Sequence, residues 1–405
     1  MLNWMDASYF QHGFKLGKAV SGALARSYHS EIVDRLKSMG YAARAGDLSL
    51  RLAREFGFCY GVDRAVQYAY ETREQFPTRR IFLSGEIIHN PDVNQRIQQM
   101  GIVRLAEAAD PALRYRDVER EDVVLVPAFG LTVDEIEFLK AQGCVLVDTT
   151  CGSVLNVWKN VRQFARDGYT AVIHGKYFHE ETRATASQAL THPNGRYLCV
   201  GNRQHAEIVC GFVRGQVDVN AVRRTFEPAM SPGFDPTRDL ERVGLANQTT
   251  MLMSESVEIQ AMLLAAFRDR YGEAELQNRF RAFDTICSAT QDRQDAVQAL
   301  LDQGGLDLMI VIGGYNSSNT QALTALSEGR LPTFHISTAE CIGAEGIRHR
   351  PVGALDEVTT SAWLPRRPLT VGLTAGASTP NIVVGEVIER LLALFGRRLD
   401  DPRSP

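Results

Sequence analysis

Residues 145–182, VLVDTTCGSVLNVWKNVRQFARDGYTAVIHGKYFHEET, read as a strand ending at Cys151, a helix, a second strand and a polar loop. The order recurs on both sides. Upstream, REFGFC leads to Cys59 and the helix CYGVDRAVQYAYETREQF, where Val62, Ala65, Val66 and Ala69 keep helical spacing until Pro77. The strand RIFLSGEII then delivers His89 and Asn90. Downstream, FDTIC ends at Cys287, followed by SATQDRQDAVQALLDQGG, the strand LDLMIVIGG and the loop YNSSNTQAL. The polar clusters begin at His89, Glu181 and Ser317, and each stands at the same offset from its own cysteine.

Later in each unit a second apolar strand ends in small or polar residues: VVLVPAFG, VGLANQTT and LTVGLTAGAST. A helical stretch follows each one. Strands alternating with helices at this rhythm predict an α/β fold with parallel sheets, whose ligands gather at the carboxyl ends of the strands. A threefold repeat of this kind brings three thiolates and three polar loops around one centre, a geometry suited to an iron–sulfur cluster with one open iron facing an anion. Most clusters are held by four thiolates, so three leave one iron without a protein ligand. A helix start also lowers a thiol's pKa and favours the cluster's negative charge.

The predicted organisation is an N-terminal helical arm over 1–46, α/β domains over 47–150, 151–286 and 287–392, and a mobile tail over 393–405. The arm's clearest element is SEIVDRLKSMG, with Ser30 as N-cap and Gly40 as the stop. PAMSPGFDPTRDLERV, within the second domain, reads as a surface excursion.

With 405 residues, 44% of them hydrophobic and 23% charged, the chain is a globular protein of more than one domain. A net charge of −4 argues against nucleic acid or an anionic membrane as a bulk partner. No secretory signal is evident and no run nears the roughly 18 apolar residues of a membrane helix, so a cytoplasmic protein is expected. An odd number of cysteines, 7, fits a reducing compartment, with thiols as ligands or core residues. Taken singly, each cysteine is more often a buried small hydrophobe. Cys144, Cys199, Cys210 and Cys341 lack the repeat context and take that reading.

The strand-end loops suit a phosphate or diphosphate. Gly313 and Gly314 allow close backbone approach, and Ser317, Ser318 and Asn319 offer donors at a helix start. Thr249, Thr250 and Ser378 add hydroxyls, and His89 and His179 add ring N–H groups. Ordinary capping explains any one loop alone; convergence from three repeats is harder to reduce to capping. Glu181 is either a proton donor raised in pKa by burial or, more commonly, a helix-start carboxylate. HGK at 174–176 fails the Walker phosphate-loop pattern, because no Ser or Thr follows Lys176.

The stretches GFCYGVDRAV, EIIHNP, VDTTC, HGKYFHEETRATAS, ANQTTM, DTICSATQDRQDA, GGYNSSNT and TAGASTP, in this order over roughly residues 50 to 390, resemble the LytB/IspH family. Its members are 4-hydroxy-3-methylbut-2-enyl diphosphate reductases, and the variant loops resemble its plant and cyanobacterial branch. The resemblance implies an oxidoreductase of the non-mevalonate (MEP) isoprenoid pathway, with three domains arranged pseudo-threefold around a 4Fe–4S cluster on Cys59, Cys151 and Cys287. It implies that His89, His179, Ser317, Ser318, Asn319 and Ser378 bind the diphosphate. Thr249 and Glu181 would lie by the substrate hydroxyl, with Glu181 as the proton source. The implied reaction removes the C4 hydroxyl from (E)-4-hydroxy-3-methylbut-2-enyl diphosphate, giving isopentenyl and dimethylallyl diphosphates, with a ferredoxin- or flavodoxin-type electron donor. Two positions depart from the family pattern. Phe129 stands where many bacterial members carry a His, and is expected against the substrate's carbon chain. Gly152 replaces the usual Pro after the second cysteine.

Rival readings are a quinolinate-synthase-like three-cysteine enzyme, a non-catalytic iron–sulfur redox sensor or carrier, and a plain α/β phosphate-ligand binder. The first does not call for the HEET and NSSN loops, and a carrier favours a closed four-cysteine site.

Overall fold

The computed structural model describes residues 8–283, 285–365 and 368–399. The chain divides into two compact units: residues 1–13, 78–87 and 101–287 form the first, and 14–77, 88–100 and 288–405 the second.

The first unit holds two parallel sheets. In one, Ile81–Leu83, Ile102–Arg104, Val123–Val126 and Val145–Asp148 lie in the spatial order fourth, third, first, second, and Tyr9–Phe10 adds to the outside of the fourth. In the other, Thr170–His174, Tyr197–Val200, Val243–Asn247 and Phe280–Ala282 repeat that order. The second unit's main sheet has Leu308–Ile312, Thr333–Ile336 and Leu369–Ala375 as its first three strands. Its fourth parallel strand is Leu48–Leu52, from the other end of the chain, paired with residues 369–373. Every repeat cysteine therefore follows the fourth strand of a sheet. The inner strands are buried on both faces, which explains their continuous apolar runs.

The α/β class and the repeat agree with the sequence; several boundaries do not. Residues 48–75 belong to the unit of the third repeat, because Leu48, Leu50 and Leu52 share one core with Leu369, Val371 and Leu373. The predicted arm over 1–46 is not one element. Tyr9–Phe10 joins a sheet of the first unit, while the helices Gly17–Tyr28 and Glu31–Ser38 and the strand Ala42–Ala45 pack in the second. Ser30 does sit at the N-cap of Glu31–Ser38, but its hydroxyl makes no capping bond. Residues 228–243 are not a surface excursion, since Ala229, Phe234 and Leu240 are buried in the core of the second sheet. Nor is 393–399 loose: Phe395 is buried and Leu399 packs on the same core, while residues 400–405 of the predicted tail lie outside the described residues.

Two buried histidines set an acid limit on stability. Burial holds His174, in the first unit, and His335, in the second, at pKa about 4, below the usual 6.5. Both are neutral in the folded chain, so unfolding takes up a proton at each once the pH is below 6.5. Stability is expected to be level above that value and to fall toward pH 4, by roughly 1.4 kcal/mol per pH unit for each residue. Denaturant unfolding at pH 7, 6 and 5 checks this; a midpoint unchanged between 7 and 5 contradicts it.

Candidate active site

Each repeat cysteine occupies the start of a long helix. Cys59 is the N-cap of Tyr60–Gln75, Cys151 the N-cap of Gly152–Arg166, and Cys287 immediately precedes Ser288–Asp302. All three are partly exposed and none is in a disulfide. The other four are buried, and burial pushes the thiols of Cys144, Cys199 and Cys210 up to about 11, 12 and 11. Those three are core residues. Cys341 differs: burial alone would raise its pKa, but hydrogen bonds from Thr338, Ser337 and Tyr315 bring it below the usual thiol value.

One backbone device recurs at all three cysteines. The Cys59 N–H donates to the carbonyl of Ala377 at 3.2 Å, the Cys151 N–H to Ala128 at 3.0 Å, and the Cys287 N–H to Thr249 at 3.2 Å. Each acceptor lies just past the third strand of a sheet, in the PAFG, NQTT or GAST turn. Its own N–H in turn donates to the segment after the first strand. Ala377 reaches the Asn319 Oδ1 at 2.9 Å, Thr249 the Glu181 Oε1 at 2.6 Å, and Ala128 the Ile87 carbonyl at 3.2 Å. Sequence reasoning misses this lattice. The signal that could reveal it is the alignment of Ala128, Thr249 and Ala377, which makes Phe129, Thr250 and Ser378 equivalent positions.

In the first unit stand Cys151, Cys287, Phe129, His179, Glu181 and Thr249. Glu181 lies in the first turn of the helix Glu180–Ala189, as the dipole reading expects, yet it is 1% exposed and its carboxylate is turned onto the Thr249 N–H. A single residue thus links this carboxylate to Cys287. His179 is the N-cap of the same helix, and its Nδ1 accepts from the Glu181 N–H at 3.2 Å. That bond makes Nε2 the protonated nitrogen of the neutral ring, a donor of the kind an anion uses. Phe129 stands edge-on to the His179 ring, centroids 5.6 Å apart, and so fixes the imidazole from the side. The HGK segment has a packing role. Gln248 Oε1 accepts from the Lys176 N–H and the Thr182 hydroxyl, and a Cβ on Gly175 would come within 2.7 Å of Thr182 Oγ1.

In the second unit stand Cys59, His89, Ser317, Ser318, Asn319 and Ser378. Ser317 caps the helix Ser318–Glu328 through the Thr320 N–H. A Cβ on Gly314 would lie 2.4 Å from the His89 carbonyl, so glycine there lets the His89 and NSSN loops touch. Arg293 donates twice to the Gly57 carbonyl, at 3.2 and 2.7 Å, tying the helix after Cys287 to the loop before Cys59. Asn319 is 2% exposed, and while its Oδ1 is engaged, its Nδ2 is buried with no partner. Leaving such a donor unmet costs about 1–3 kcal/mol, which an anionic ligand oxygen would recover.

The donor set fits an iron–sulfur cluster: three partly exposed thiols in equivalent frames, at the positive ends of long helices and outside any disulfide. The orphaned Asn319 amide and the His179 ring each suit a phosphate-type anion. Among the described residues, no helix is long and apolar enough to cross a membrane.

The LytB protein family model matches residues 50–392. A relative from Synechococcus sp., named 4-hydroxy-3-methylbut-2-enyl diphosphate reductase, is 47% identical over 388 residues, 95% of this chain and 96% of the relative. One of the same name from Thermosynechococcus vestitus is 45% identical over 389 residues, 96% and 95% of the two chains. A solved structure of (E)-4-hydroxy-3-methyl-but-2-enyl diphosphate reductase, the terminal enzyme of the non-mevalonate pathway, superposes with TM-score 0.51. It is 27% identical and covers 84% of this chain and 98% of its own. The Plasmodium falciparum E-1-hydroxy-2-methyl-but-2-enyl-4-diphosphate reductase, 21% identical, has the same fold at TM-score 0.62 over 85% of this chain and 87% of its own. With the family match running from the strand before Cys59 to the last long helix, this chain belongs to the LytB protein family.

Proposed function

We propose that the chain is the 4-hydroxy-3-methylbut-2-enyl diphosphate reductase of the MEP pathway. It converts (E)-4-hydroxy-3-methylbut-2-enyl diphosphate, two electrons and two protons to isopentenyl or dimethylallyl diphosphate and water. Cys59, Cys151 and Cys287 hold one 4Fe–4S cluster. When bound, that group supplies the electrons and, at the iron lacking a thiolate, a Lewis-acidic position for the substrate hydroxyl.

The chain's residues bind, orient and deliver protons. His89, His179, Ser317, Ser318, Asn319 and Ser378 grip the diphosphate, fixing the allylic end. Glu181 provides the proton that leaves with the hydroxyl as water, and Thr249 holds the carboxyl through its N–H and lies by the substrate hydroxyl. A ferredoxin- or flavodoxin-type protein renews the electrons, and the reaction runs in the cytoplasm, where thiols stay reduced. The observation carrying this reading is the buried Glu181 carboxylate, one residue removed from the Cys287 backbone.

The test is product analysis with anaerobically reconstituted protein, substrate and a strong low-potential reductant. Formation of the two five-carbon diphosphates is expected; untouched substrate with a full cluster refutes the assignment. Asn319→Asp, whose Oδ1 can still accept from the Ala377 N–H, is expected to raise KM about 10-fold or more with a smaller effect on kcat, since it replaces a donor to the anion by a negative charge. Steady-state kinetics decides, and an unchanged KM removes Asn319 from the grip.

A further inference from the structure

Apart from the residues assigned to the reaction, the first unit contains a cavity of about 460 Å³ beside the Cys151 helix. Its walls come from the segment around the Tyr9–Phe10 strand, the helix Val133–Gln142, the end of the Val145–Asp148 strand and the helix Gly152–Arg166. Leu131, Val133, Ile136 and the Trp158 indole give it an apolar body. None of the cysteines, histidines, hydroxyls or carboxylates assigned above lines it.

Its charges are unevenly satisfied. The Asp148 carboxylate accepts from the Tyr9 hydroxyl at 2.5 Å and from the Thr150 N–H and hydroxyl at 2.9 and 2.5 Å, so its oxygens are engaged. Arg162 is not. Its Nε is buried without a hydrogen-bond partner, its guanidinium forms no ion pair among the described residues, and burial lowers its pKa. Lys140 also lines the cavity without an ion pair among the described residues, its ammonium 4.7 Å from the Tyr9 ring centre. Glu137 is exposed at the rim, and His12 completes the titratable lining. A half-buried guanidinium whose Nε lacks a partner, beside an apolar chamber, is placed to meet an anion.

We propose that this cavity binds an anionic amphiphile, with an apolar chain against Leu131, Ile136 and Trp158 and its acidic head on Arg162 and Lys140. The volume falls in the range of roughly 300–1,000 Å³ usual for small-ligand sites. A prenyl diphosphate and a medium-chain carboxylate share this chemistry.

Calorimetric titration of the cluster-loaded protein with geranyl diphosphate, decanoate and inorganic pyrophosphate tests the site, in wild type, Arg162→Gln, Ile136→Trp and Asn319→Ala. Geranyl diphosphate or decanoate, or both, is expected to bind, and which one binds identifies the source. Arg162→Gln and Ile136→Trp are expected to weaken that binding 10-fold or more, and Asn319→Ala to leave it intact. If Arg162→Gln does not fold, Ile136→Trp carries the test. Amphiphile binding lost in Asn319→Ala, or kept in a folded Arg162→Gln or Ile136→Trp protein, overturns the proposal. So do pyrophosphate binding as tightly as the amphiphiles in Asn319→Ala and no binding by any amphiphile. Failure of the reaction assignment leaves these outcomes readable, since none uses turnover.

Discussion

Glu181→Gln is expected to keep the iron–sulfur cluster and the substrate affinity but to lose turnover by roughly 10²- to 10⁴-fold, the range of a general-acid contribution. The change is nearly isosteric. The amide oxygen of Gln can still accept from the Thr249 N–H that Glu181 Oε1 takes at 2.6 Å. The Thr249 carbonyl, which receives the Cys287 N–H at 3.2 Å, therefore stays in place. What disappears is a carboxyl group able to deliver a proton. Single-turnover kinetics with a pre-reduced cluster measures the chemical step directly. Retained turnover would remove Glu181 from the proton role, and a lost cluster would show that it acts through the Thr249–Cys287 link instead.

The second large effect concerns the thiols. Replacing Cys59, Cys151 or Cys287 separately by Ser is expected to strip or degrade the cluster and cut activity to a few per cent or less, on the order of the loss seen when a metal site is disturbed. Cys199→Ala is the contrast, because that thiol is buried in the second sheet's core and raised to about 12. It should cost some stability and leave the iron content unchanged. Iron and sulfide analysis of the four variants checks both statements. A plain phosphate binder would instead keep its ligand affinity in all three serine variants.

Much of the fold is legible because its signals are local. A cysteine at a helix start and an apolar run ending in a polar loop are readable within one repeat unit, and they recur three times. The closure of the third sheet is not. Residues 48–52 fall within the predicted first domain over 47–150, and only their pairing with residues 369–373, near the opposite end of the chain, assigns them elsewhere. Long-range register leaves no local mark when a strand is buried on both faces. Composition misleads at PAMSPGFDPTRDLERV, where Pro, Gly and Asp suggest solvent but Phe234 and Leu240 anchor the segment in the core.

The candidate site is legible by residue type and less so by partner. The constant offset from each cysteine picks out His89, Glu181 and Ser317. It does not show that Glu181 and Asn319 do matching work, each receiving an N–H from the residue that supports a cysteine. Backbone donors carry no sequence signature, so Ala128 and Ala377 look like filler between strand and helix. Phe129, expected against the substrate's carbon chain, stands edge-on to the His179 ring, a neighbour that residue type alone does not reveal.

Mössbauer spectroscopy of protein reconstituted anaerobically with ⁵⁷Fe, before and after (E)-4-hydroxy-3-methylbut-2-enyl diphosphate is added without reductant, reads the open iron itself. A minority iron signal, distinct from the thiolate-bound irons, is expected to shift when the substrate hydroxyl arrives. A cluster whose irons are all alike, or whose distinct iron ignores the substrate, would contradict it.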